Sequence, residues 1–362
     1  MTNAVSLAQQ ASTGVSPGFR NRIINCAMVI DQRNAGAAVT LGSGGSSFIV
    51  DRFRADAPVD QSMTFQQQTS VVPNGFSTSF KVTAGTGTTT ATNQPILAQF
   101  IEGFNTADLK WGTANAKTVT LSFQVYSSLT GTFGVCFENN AANRGYIASY
   151  TISSANTWTS ASITIPGDTS GTWEITNQRG LSIFFDLGVG TSFSTSASSG
   201  WANLSGYRGL TGGVKLAANT GATWYITGVQ LEVGSTATSF DYRPYGTELA
   251  LCQRYFVRLI NGNGQELGSG WNFNTTQLSG LLYAPVSMRA TPSLISSSGT
   301  DYYIFYRDNV GDTFNSLTIE LSNATNNVVS YYNNSQISGT AGQCGLVRSN
   351  NASASVALSS EL

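Results

Sequence analysis

Apolar and polar residues alternate with a period of two along much of the chain. In TVTLSFQVY, residues 118–126, every second position from Val119 to Val125 is apolar, and the positions between them are polar. This pattern is typical of a β-strand with one buried face. It recurs in FGVCF, ASITI and LSIFFDLGV, which are bounded by turn-forming clusters such as PGDTSG. Short strands separated by turns predict an all-β sandwich or barrel.

The first unit of the predicted fold closes with a longer strand, TWYITGVQLEVG. Simple alternation along this strand places five residues on one face, namely Tyr225, Thr227, Val229, Leu231 and Val233. The turn-rich segment STATSFDYRPYG follows and marks the exit from this unit.

A short helix is predicted in TELALCQRYF, with Thr247 as its N-cap and Glu248 in its first turn. The remaining sequence again has the pattern of strands, in SGLLYAPVSM, TPSLISSS, YYIFYR, FNSLTIELS and NVVSYYN. We therefore predict three parts: an extended N-terminal segment over residues 1–20, a β-sandwich domain over 21–245, and a short helix with a smaller C-terminal β-sandwich domain over 246–362.

The composition of the chain excludes several classes of function. Charged residues make up 10% of the sequence, with 18 basic and 19 acidic side chains, and there is no histidine. Without a basic run or an apolar run of about 20 residues, we expect no nucleic acid partner and no membrane insertion. The lack of histidine excludes Ser-His-Asp triads, Cys-His pairs and histidine-based zinc sites. We expect no cofactor.

The four cysteines are Cys26, Cys136, Cys252 and Cys344, and their spacing does not match the CxxC pattern of metal and redox sites. We interpret them as buried free thiols of a protein synthesised in a reducing cytoplasm.

Carboxylates are the remaining catalytic candidates, because glycoside hydrolysis requires two of them. Asp51, Asp56 and Asp60 cluster in VDRFRADAPVD, but the neighbouring arginines favour a structural ion-pair network. Asp308 and Asp312, in YRDNVGDTFN, favour a solvated loop. A calcium loop is the alternative for these two residues, although their spacing departs from the usual calcium-loop pattern. We predict no catalytic residue.

Aromatic residues in loops rich in Gly and Ser indicate a different chemistry. SSGWANLSGYRGLTGG contains Trp201, Tyr207 and Arg208. Sugar rings stack on aromatic faces while polar side chains bind their hydroxyls, so these three residues are glycan-binding candidates. Packing at the end of the sandwich core is the alternative for Trp201. Tyr303 and Tyr332 are further candidates, because adjacent tyrosines on a strand place one ring on each face. The alternative for these rings is a subunit interface, for which the pattern is better evidence than for glycan binding.

The stretch RNRIINCAMVIDQRNAG, beginning at Arg20, lacks the continuous apolar segment of a secretory signal and is expected to be folded structure. Its NRIINCAMVIDQRNAG portion, followed by SFIVDRFR, resembles the start of a module in bacteriophage tail fibres, where the Asn-Ile-Ile-Asn segment begins the first strand. Cys26 stands where that pattern leads us to expect Gly. YITGVQLEVGSTATSFDYRPYGTELALCQRYF is similar to the closing strand of the same module and its exit into the next domain, and MRATPSL resembles a phrase of distal fibre domains.

The resemblance implies a jelly-roll sandwich similar to carbohydrate-binding modules, in a virion protein that is usually a homotrimer. We therefore predict a non-catalytic tail-fibre or receptor-binding protein of the virion, synthesised in the host cytoplasm. The N-terminal segment would attach it to other tail or baseplate proteins, and its β domains would bind host surface polysaccharide. One alternative is a structural virion subunit that uses the sandwich for protein contacts. Another is a polysaccharide depolymerase with two carboxylates about 5–9.5 Å apart.

Overall fold

The computed structural model describes residues 19–42, 44–86, 90–322 and 324–362. These residues form two compact units, the first reaching Glu248 and the second running from Leu249 to Glu361. The predicted attachment segment, residues 1–20, lies outside the described residues apart from Phe19 and Arg20. Across the described residues, no helix is both long enough and apolar enough to cross a membrane.

The strands of the first unit, in chain order, are β1 (Val39–Leu41), β2 (Ser46–Phe48), β3 (Phe53–Asp56), β4 (Met63–Gln68), β5 (Ser79–Ala84), β6 (Ile96–Glu102), β7 (Val119–Ser127), β8 (Gly131–Glu138), β9 (Gly145–Ile152), β10 (Thr159–Ile165), β11 (Arg179–Asp186), β12 (Ser194–Thr195), β13 (Gly209–Leu210) and β14 (Thr223–Val233). Sheet A has the strand order β1-β4-β5-β14-β7-β10, and sheet B has the order β2-β3-β6-β11-β8-β9. All strand pairs within these two sheets are antiparallel.

The two sheets enclose one hydrophobic core. Phe65 and Phe80 of sheet A and Phe53 and Phe133 of sheet B belong to the same buried cluster, together with Trp224 of β14. Strands β6 to β11 change sheet at every step along the chain except the step from β8 to β9, as in a jelly roll. The predicted all-β sandwich is confirmed.

Residues 187–216 cover the outer face of sheet B. Leu210 packs there in a second buried cluster with Phe100 and Phe184. The buried carboxylate of Asp186 holds this segment in place by accepting hydrogen bonds from the backbone N–H groups of Gly188, Val189 and Leu210 at 2.7–2.9 Å. Burial raises the pKa of the Asp186 carboxyl.

The opening stretch is folded but is not a strand, which corrects the first strand that the resemblance to the tail-fibre module implies. It contains turns at residues 24–27 and 32–36, and side chains hold it in place. Asn25 Nδ2 donates to the carbonyl oxygens of Ile30, at 2.8 Å, and Asp51, at 2.9 Å. The stretch lies along β14, where the Arg22 N–H donates to Leu231 O at 3.0 Å and the Val229 N–H donates to Cys26 O at 2.9 Å.

Helix α1 (Tyr245–Gln253) begins two residues before the predicted start. The N–H groups of Thr247 and Glu248 donate to Pro244 O, so Thr247 lies in the first turn and is not the N-cap. The sequence signal at Thr247 was misleading because Pro244 already supplies the first helical acceptor.

The strands of the second unit are β15 (Phe256–Asn261), β16 (Glu266–Asn272), β17 (Gln277–Tyr283), β18 (Ser293–Ser296), β19 (Tyr303–Arg307), β20 (Val310–Phe314), β21 (Thr318–Glu320), β22 (Val328–Asn334), β23 (Cys344–Ser349) and β24 (Ser355–Ser359). One sheet has the order β15-β24-β18 and the other has the order β20-β19-β23-β16-β17-β22-β21. Their apolar residues, among them Val257, Leu282, Phe305 and Val347, form one buried cluster. Cys344 is exposed, which corrects its assignment as a buried thiol; the other three cysteines are buried.

Candidate functional site

A row of aromatic side chains crosses the outer face of sheet A. Register pairs Lys81 with Tyr225 and Tyr225 with Tyr126, so these three residues lie side by side on β5, β14 and β7. The Trp158 ring, just before β10, continues the row, with its centroid 5.6 Å from that of Tyr126. We call these four residues the aromatic strip.

The strip faces away from the core because its sequence neighbours face into it. Phe80 and Val82 flank Lys81, and Trp224 and Ile226 flank Tyr225; all four are buried in the core between the sheets. Successive residues of a strand point to opposite faces, so the strip residues point outward.

A bulge in β14 accounts for the position of Tyr225. Alternation predicts that Tyr225 shares a face with Val229 and Leu231, and this prediction is wrong. The β14–β7 register shifts between Thr227 and Gln230, so the strand changes phase there. Tyr225 consequently lies outside the sandwich, whereas Val229 and Leu231 are buried in its core.

The strip is a rigid unit. The rings of Tyr126 and Tyr225 have centroids 5.1 Å apart at an interplanar angle of 83°, the edge-to-face arrangement that aromatic pairs prefer. The Lys81 ammonium lies 5.8 Å from the centroid of the Tyr225 ring. These contacts bury Tyr225, and burial raises the pKa of its phenol. Tyr126 and Trp158 remain half-exposed.

Amide and hydroxyl side chains border the strip. Gln124 and Ser160 exchange hydrogen bonds across β7 and β10, at 2.8 and 3.1 Å. On the other side, paired threonines cross four strands in one row, made up of Thr40, Thr64, Thr83 and Thr223. Among the described residues, no acidic side chain pairs with Lys81, so its ammonium is available to an oxygen of a ligand.

This arrangement is suited to binding a carbohydrate chain. Aromatic rings provide flat apolar surfaces for the C–H faces of sugars, and the bordering amides, hydroxyls and ammonium can bind sugar hydroxyls. None of the four strip residues carries a carboxyl group, so the strip lacks the paired carboxylates of glycoside hydrolysis.

Among the sequence-predicted residues, Trp201 belongs to a separate aromatic cluster. Its ring centroid is 5.1 Å from both Trp111 and Trp173 and 5.5 Å from Tyr146. Its Nε1–H donates to Pro166 O at 2.7 Å. This environment favours the packing alternative for Trp201, although the residue remains half-exposed.

Tyr207 and Arg208 are not brought together with Trp201 in a stacking group. Tyr207 is 39% exposed, and within the described residues its ring has no aromatic partner. The Arg208 guanidinium binds Glu138 at 3.0 Å and lies 4.4 Å from the centroid of the Phe184 ring. The charge of Arg208 is therefore paired with Glu138, and its guanidinium plane is stacked on Phe184, both within the fold.

In the second unit, Tyr303 is a core residue, which corrects its assignment as a glycan contact. It is fully buried, and its hydroxyl donates to Ser297 O at 2.8 Å. Tyr332 lies on the opposite face of its strand from buried Tyr331 and is half-exposed. Register aligns Tyr332 of β22 with Ser279 of β17 and Ser279 with Trp271 of β16, so Trp271 lies in the same row, two strands from Tyr332. The sequence analysis did not single out Trp271.

The acidic candidates are engaged in internal contacts. Asp312 binds Arg307 at 2.7 Å and accepts the Ser338 N–H, whereas Asp308 accepts the amide of Gln343 at 2.7 Å. Within the part of the chain that the structure describes, no group of three or more Asp, Glu, Cys or His side chains is arranged to hold a metal ion. The contacts of Asp308 and Asp312 favour the solvated-loop interpretation, and the calcium-loop alternative stays a prediction.

In the first acidic cluster, Asp56 pairs with Arg54 at 2.8 Å, Asp51 lies 3.8 Å from Arg33, and Asp60 accepts the Asn93 amide.

The sequence reasoning missed the aromatic strip itself. The available signal was in the most clearly alternating strand, TVTLSFQVY, where the aromatic Tyr126 follows Gln124 on the polar face. An aromatic ring on the outward face of a strand indicates a candidate binding surface. The meeting of Tyr126 with Tyr225 and Trp158 depends on strand order, which alternation does not specify.

Comparison with known proteins shows weak similarity. No protein-family model and no curated protein matches the chain. The enzymatically active domain of tailspike protein 4 of bacteriophage CBA120 matches with a TM-score of 0.31 and 12% identity, over 61% of this chain and 22% of that one. The family 11 carbohydrate-binding module of a Clostridium thermocellum cellulosomal cellulase matches with a TM-score of 0.27 and 12% identity, over 56% of this chain and 89% of that one.

A tandem carbohydrate-binding-module domain from Paenibacillus barcinonensis matches with a TM-score of 0.26 and 9% identity, over 90% of this chain and 91% of that one. At these scores and identities the similarities carry no argument about function.

Proposed function

We propose that this protein binds a cell-surface polysaccharide without cleaving it, and that the aromatic strip on sheet A is the binding surface. The observation that carries the proposal is the continuous row of Lys81, Tyr225, Tyr126 and Trp158 on an outward sheet face. An open row across several strands is suited to the interior of a polymer chain, because the chain can enter and leave at both ends of the row.

We further propose that the protein is a tail-fibre subunit of a phage virion, a homotrimer that attaches to other tail or baseplate proteins and contacts the host surface. The support is the sequence resemblance of residues 21–36 and 225–256 to the two ends of a tail-fibre module. The two segments interlock in the fold: Arg243 donates to Ile23 O at 2.9 Å, and Asn21 Nδ2 donates to Val229 O at 3.1 Å. Several copies in one particle would multiply weak contacts by about 10²–10⁴-fold in avidity.

The test is to incubate the purified protein with surface polysaccharide from candidate hosts and to measure both retention on the polymer and the chain length of the polymer. Retention without shortening is expected, and it should be weakened in Trp158→Ala. The matched control is Tyr283→Ala, because Tyr283 is an exposed aromatic residue (62% exposed) in the second unit.

Shortening of the polymer would overturn the non-catalytic proposal in favour of a depolymerase acting through carboxylates. No retention with a verified host polymer would favour a structural virion subunit that uses the sandwich for protein contacts.

A further inference from the structure

The first unit carries a concave pocket away from the aromatic strip. It has a volume of about 410 Å³ and is lined by residues of two segments, 106–115 and 173–175. This volume is near the lower end of the range for small-ligand pockets, roughly 300–1,000 Å³. The pocket lies beyond the Ile165 end of β10, whereas Trp158 lies at the Thr159 end. The two places are therefore roughly 20 Å apart along the strand.

Two buried tryptophans form the apolar wall of this pocket. Trp111 and Trp173 pack edge to face with centroids 4.7 Å apart. Their indole N–H groups are held inside the fold, Trp111 by Lys117 O at 2.7 Å and Trp173 by Asp168 at 3.2 Å. Asp168 is fixed in turn by two hydrogen bonds from Arg144 at 2.7 and 2.8 Å. The two rings are therefore preorganised, and Ile175, 57% exposed, extends the apolar surface at the rim.

The two segments that form the pocket are joined by backbone hydrogen bonds. The Gly112 N–H donates to Asp168 O at 2.7 Å, and the Phe104 N–H donates to Thr176 O at 2.8 Å. Gly112 has φ +82°, and an added Cβ would lie 2.6 Å from Gly171 O, so glycine is required at this closest approach.

Polar groups at the rim have capacity for a ligand. Glu174 Oε1 accepts hydrogen bonds from the backbone N–H of Ile175 and from the N–H and hydroxyl of Thr176, which lower the pKa of this carboxyl and keep it ionised. Oε2 of Glu174, the Lys110 ammonium and the Asn115 amide have no partner among the described residues. One carboxylate and one ammonium face the same small volume, so the pocket has no net charge from its rim.

We infer that this pocket is a second carbohydrate site, which takes the terminal pyranose of a neutral glycan. The indoles would contact the apolar face of the sugar. Glu174 and Asn115 would accept hydrogen bonds from its hydroxyl groups, and Lys110 would donate to a ring or hydroxyl oxygen. A concave pocket holds a chain end, in contrast to the open strip. The inference does not require the strip to bind, and it extends the proposed function by a second contact point on each subunit.

The test uses methyl pyranosides of glucose, galactose and mannose as probes, with tryptophan fluorescence and calorimetry as readouts. We expect at least one of them to saturate the protein with a Kd in the millimolar range, about −4 kcal/mol. Binding should weaken about tenfold in Glu174→Gln, since hydrogen bonds to charged groups are the stronger ones. It should weaken by about two- to tenfold in Asn115→Ala, because the asparagine amide is neutral. Both side chains lie at the surface, so both variants should fold. Lys110→Asn removes the ammonium and keeps a residue that tolerates its φ of +55°.

Trp158→Ala is the control that separates this inference from the proposed function. It should weaken retention on the polysaccharide, while methyl pyranoside binding in the Trp158→Ala background should still depend on Glu174 and Asn115. Tyr283→Ala, at a residue that lies in neither site, should leave both kinds of binding unchanged. Failure of all three glycosides to bind at about 100 mM would overturn the pocket assignment. Binding that is lost in Trp158→Ala but unaffected in Glu174→Gln and Asn115→Ala would also overturn it. Pyranoside binding without polymer retention would overturn the proposal that the strip binds polysaccharide and would support the inference that the pocket binds a pyranose.

Discussion

Tyr126 and Tyr225 occupy paired positions on adjacent strands, and their rings meet edge to face with centroids 5.1 Å apart. Each ring therefore limits the rotamers of the other, and Trp158 and Lys81 extend the row in both directions. A ligand that stacks on this surface meets side chains that are already ordered, so it loses little conformational entropy in binding.

Replacing an exposed ring of the strip should reduce binding without unfolding the protein. We expect Trp158→Ala and Tyr126→Ala to weaken polysaccharide retention by about 10–30-fold each, which corresponds to about 1.4–2 kcal/mol. The melting temperature should change little, because both rings are half-exposed. Affinity electrophoresis measures retention on the polysaccharide, and scanning calorimetry measures the melting temperature. Unchanged retention in both variants would show that the strip is not the binding surface.

Trp201 should behave as a structural residue. Its ring contacts Trp111, Trp173 and Tyr146, and its N–H is bonded to Pro166 O. We expect Trp201→Ala to lower the free energy of unfolding by about 3 kcal/mol, or roughly 6–12 °C in melting temperature.

The matched control for this variant is Tyr207→Ala, in the same loop, with an expected effect of at most about 0.5 kcal/mol. A stable Trp201→Ala protein that has lost glycan binding would instead assign Trp201 to a ligand site.

Local alternation was sufficient to predict strands such as β7 and β11, because burial of one face imposes a period of two directly on the sequence. It failed in β14, where the bulge at Gly228 changes the phase of the strand and moves Val229 and Leu231 to the face opposite Tyr225. Gly228 is the local signal of this bulge, because an isolated glycine inside a strand pattern suggests one. The alternation pattern alone does not show how the register continues beyond it.

The candidate site was less predictable than the fold. The strip combines residues from β5, β7, β14 and the turn before β10, so it depends on strand order. The resemblance to the tail-fibre module implied a strand in the opening stretch, where the structure has turns. Asn25 and Asn21 bind backbone groups of distant segments, such as Asp51 O and Val229 O, and the local sequence does not show these long-range hydrogen bonds.

Asp186 should make stability depend on pH. Burial raises the pKa of its carboxyl in the folded state above the unfolded value. The folded state therefore binds the proton more tightly, and the contribution of this group is fully present below the unfolded pKa, about 4, and is lost as pH rises through the folded pKa. Lys215, 3.9 Å away, opposes this shift without cancelling it.

The measurement is urea unfolding of the wild type and Asp186→Asn between pH 4 and 8. The asparagine variant should be less stable throughout, because its Oδ1 can still accept from the N–H groups of Gly188 and Val189, but its Nδ2 cannot accept from the Leu210 N–H. The difference in unfolding free energy between the two proteins should shrink as pH rises. A difference that grows with pH would mean that Lys215 and the backbone N–H groups outweigh burial.

Gly228 lies in the bulge of β14, beside the Phe76 ring and three residues from Tyr225 of the strip. Its substitution therefore tests whether the bulge, the contact with Phe76 and the position of the strip depend on one another. Gly228 has φ +62°, and an added Cβ would lie 2.6 Å from the Phe76 ring. We expect Gly228→Ala to cost about 1 kcal/mol for the left-handed backbone and a further 1–3 kcal/mol or so for overpacking.

Gly221→Ala is the matched control, because Gly221 also has a positive φ, +76°, but has open space around the position of its Cβ. The difference between the two variants in urea unfolding isolates the clash with Phe76. If relief of that clash shifts the register of β14, Tyr225 moves away from Tyr126, and polysaccharide retention should fall in Gly228→Ala while it persists in Gly221→Ala. Equal stability of the two variants would show that the Phe76 ring moves aside freely and that the bulge does not depend on this contact.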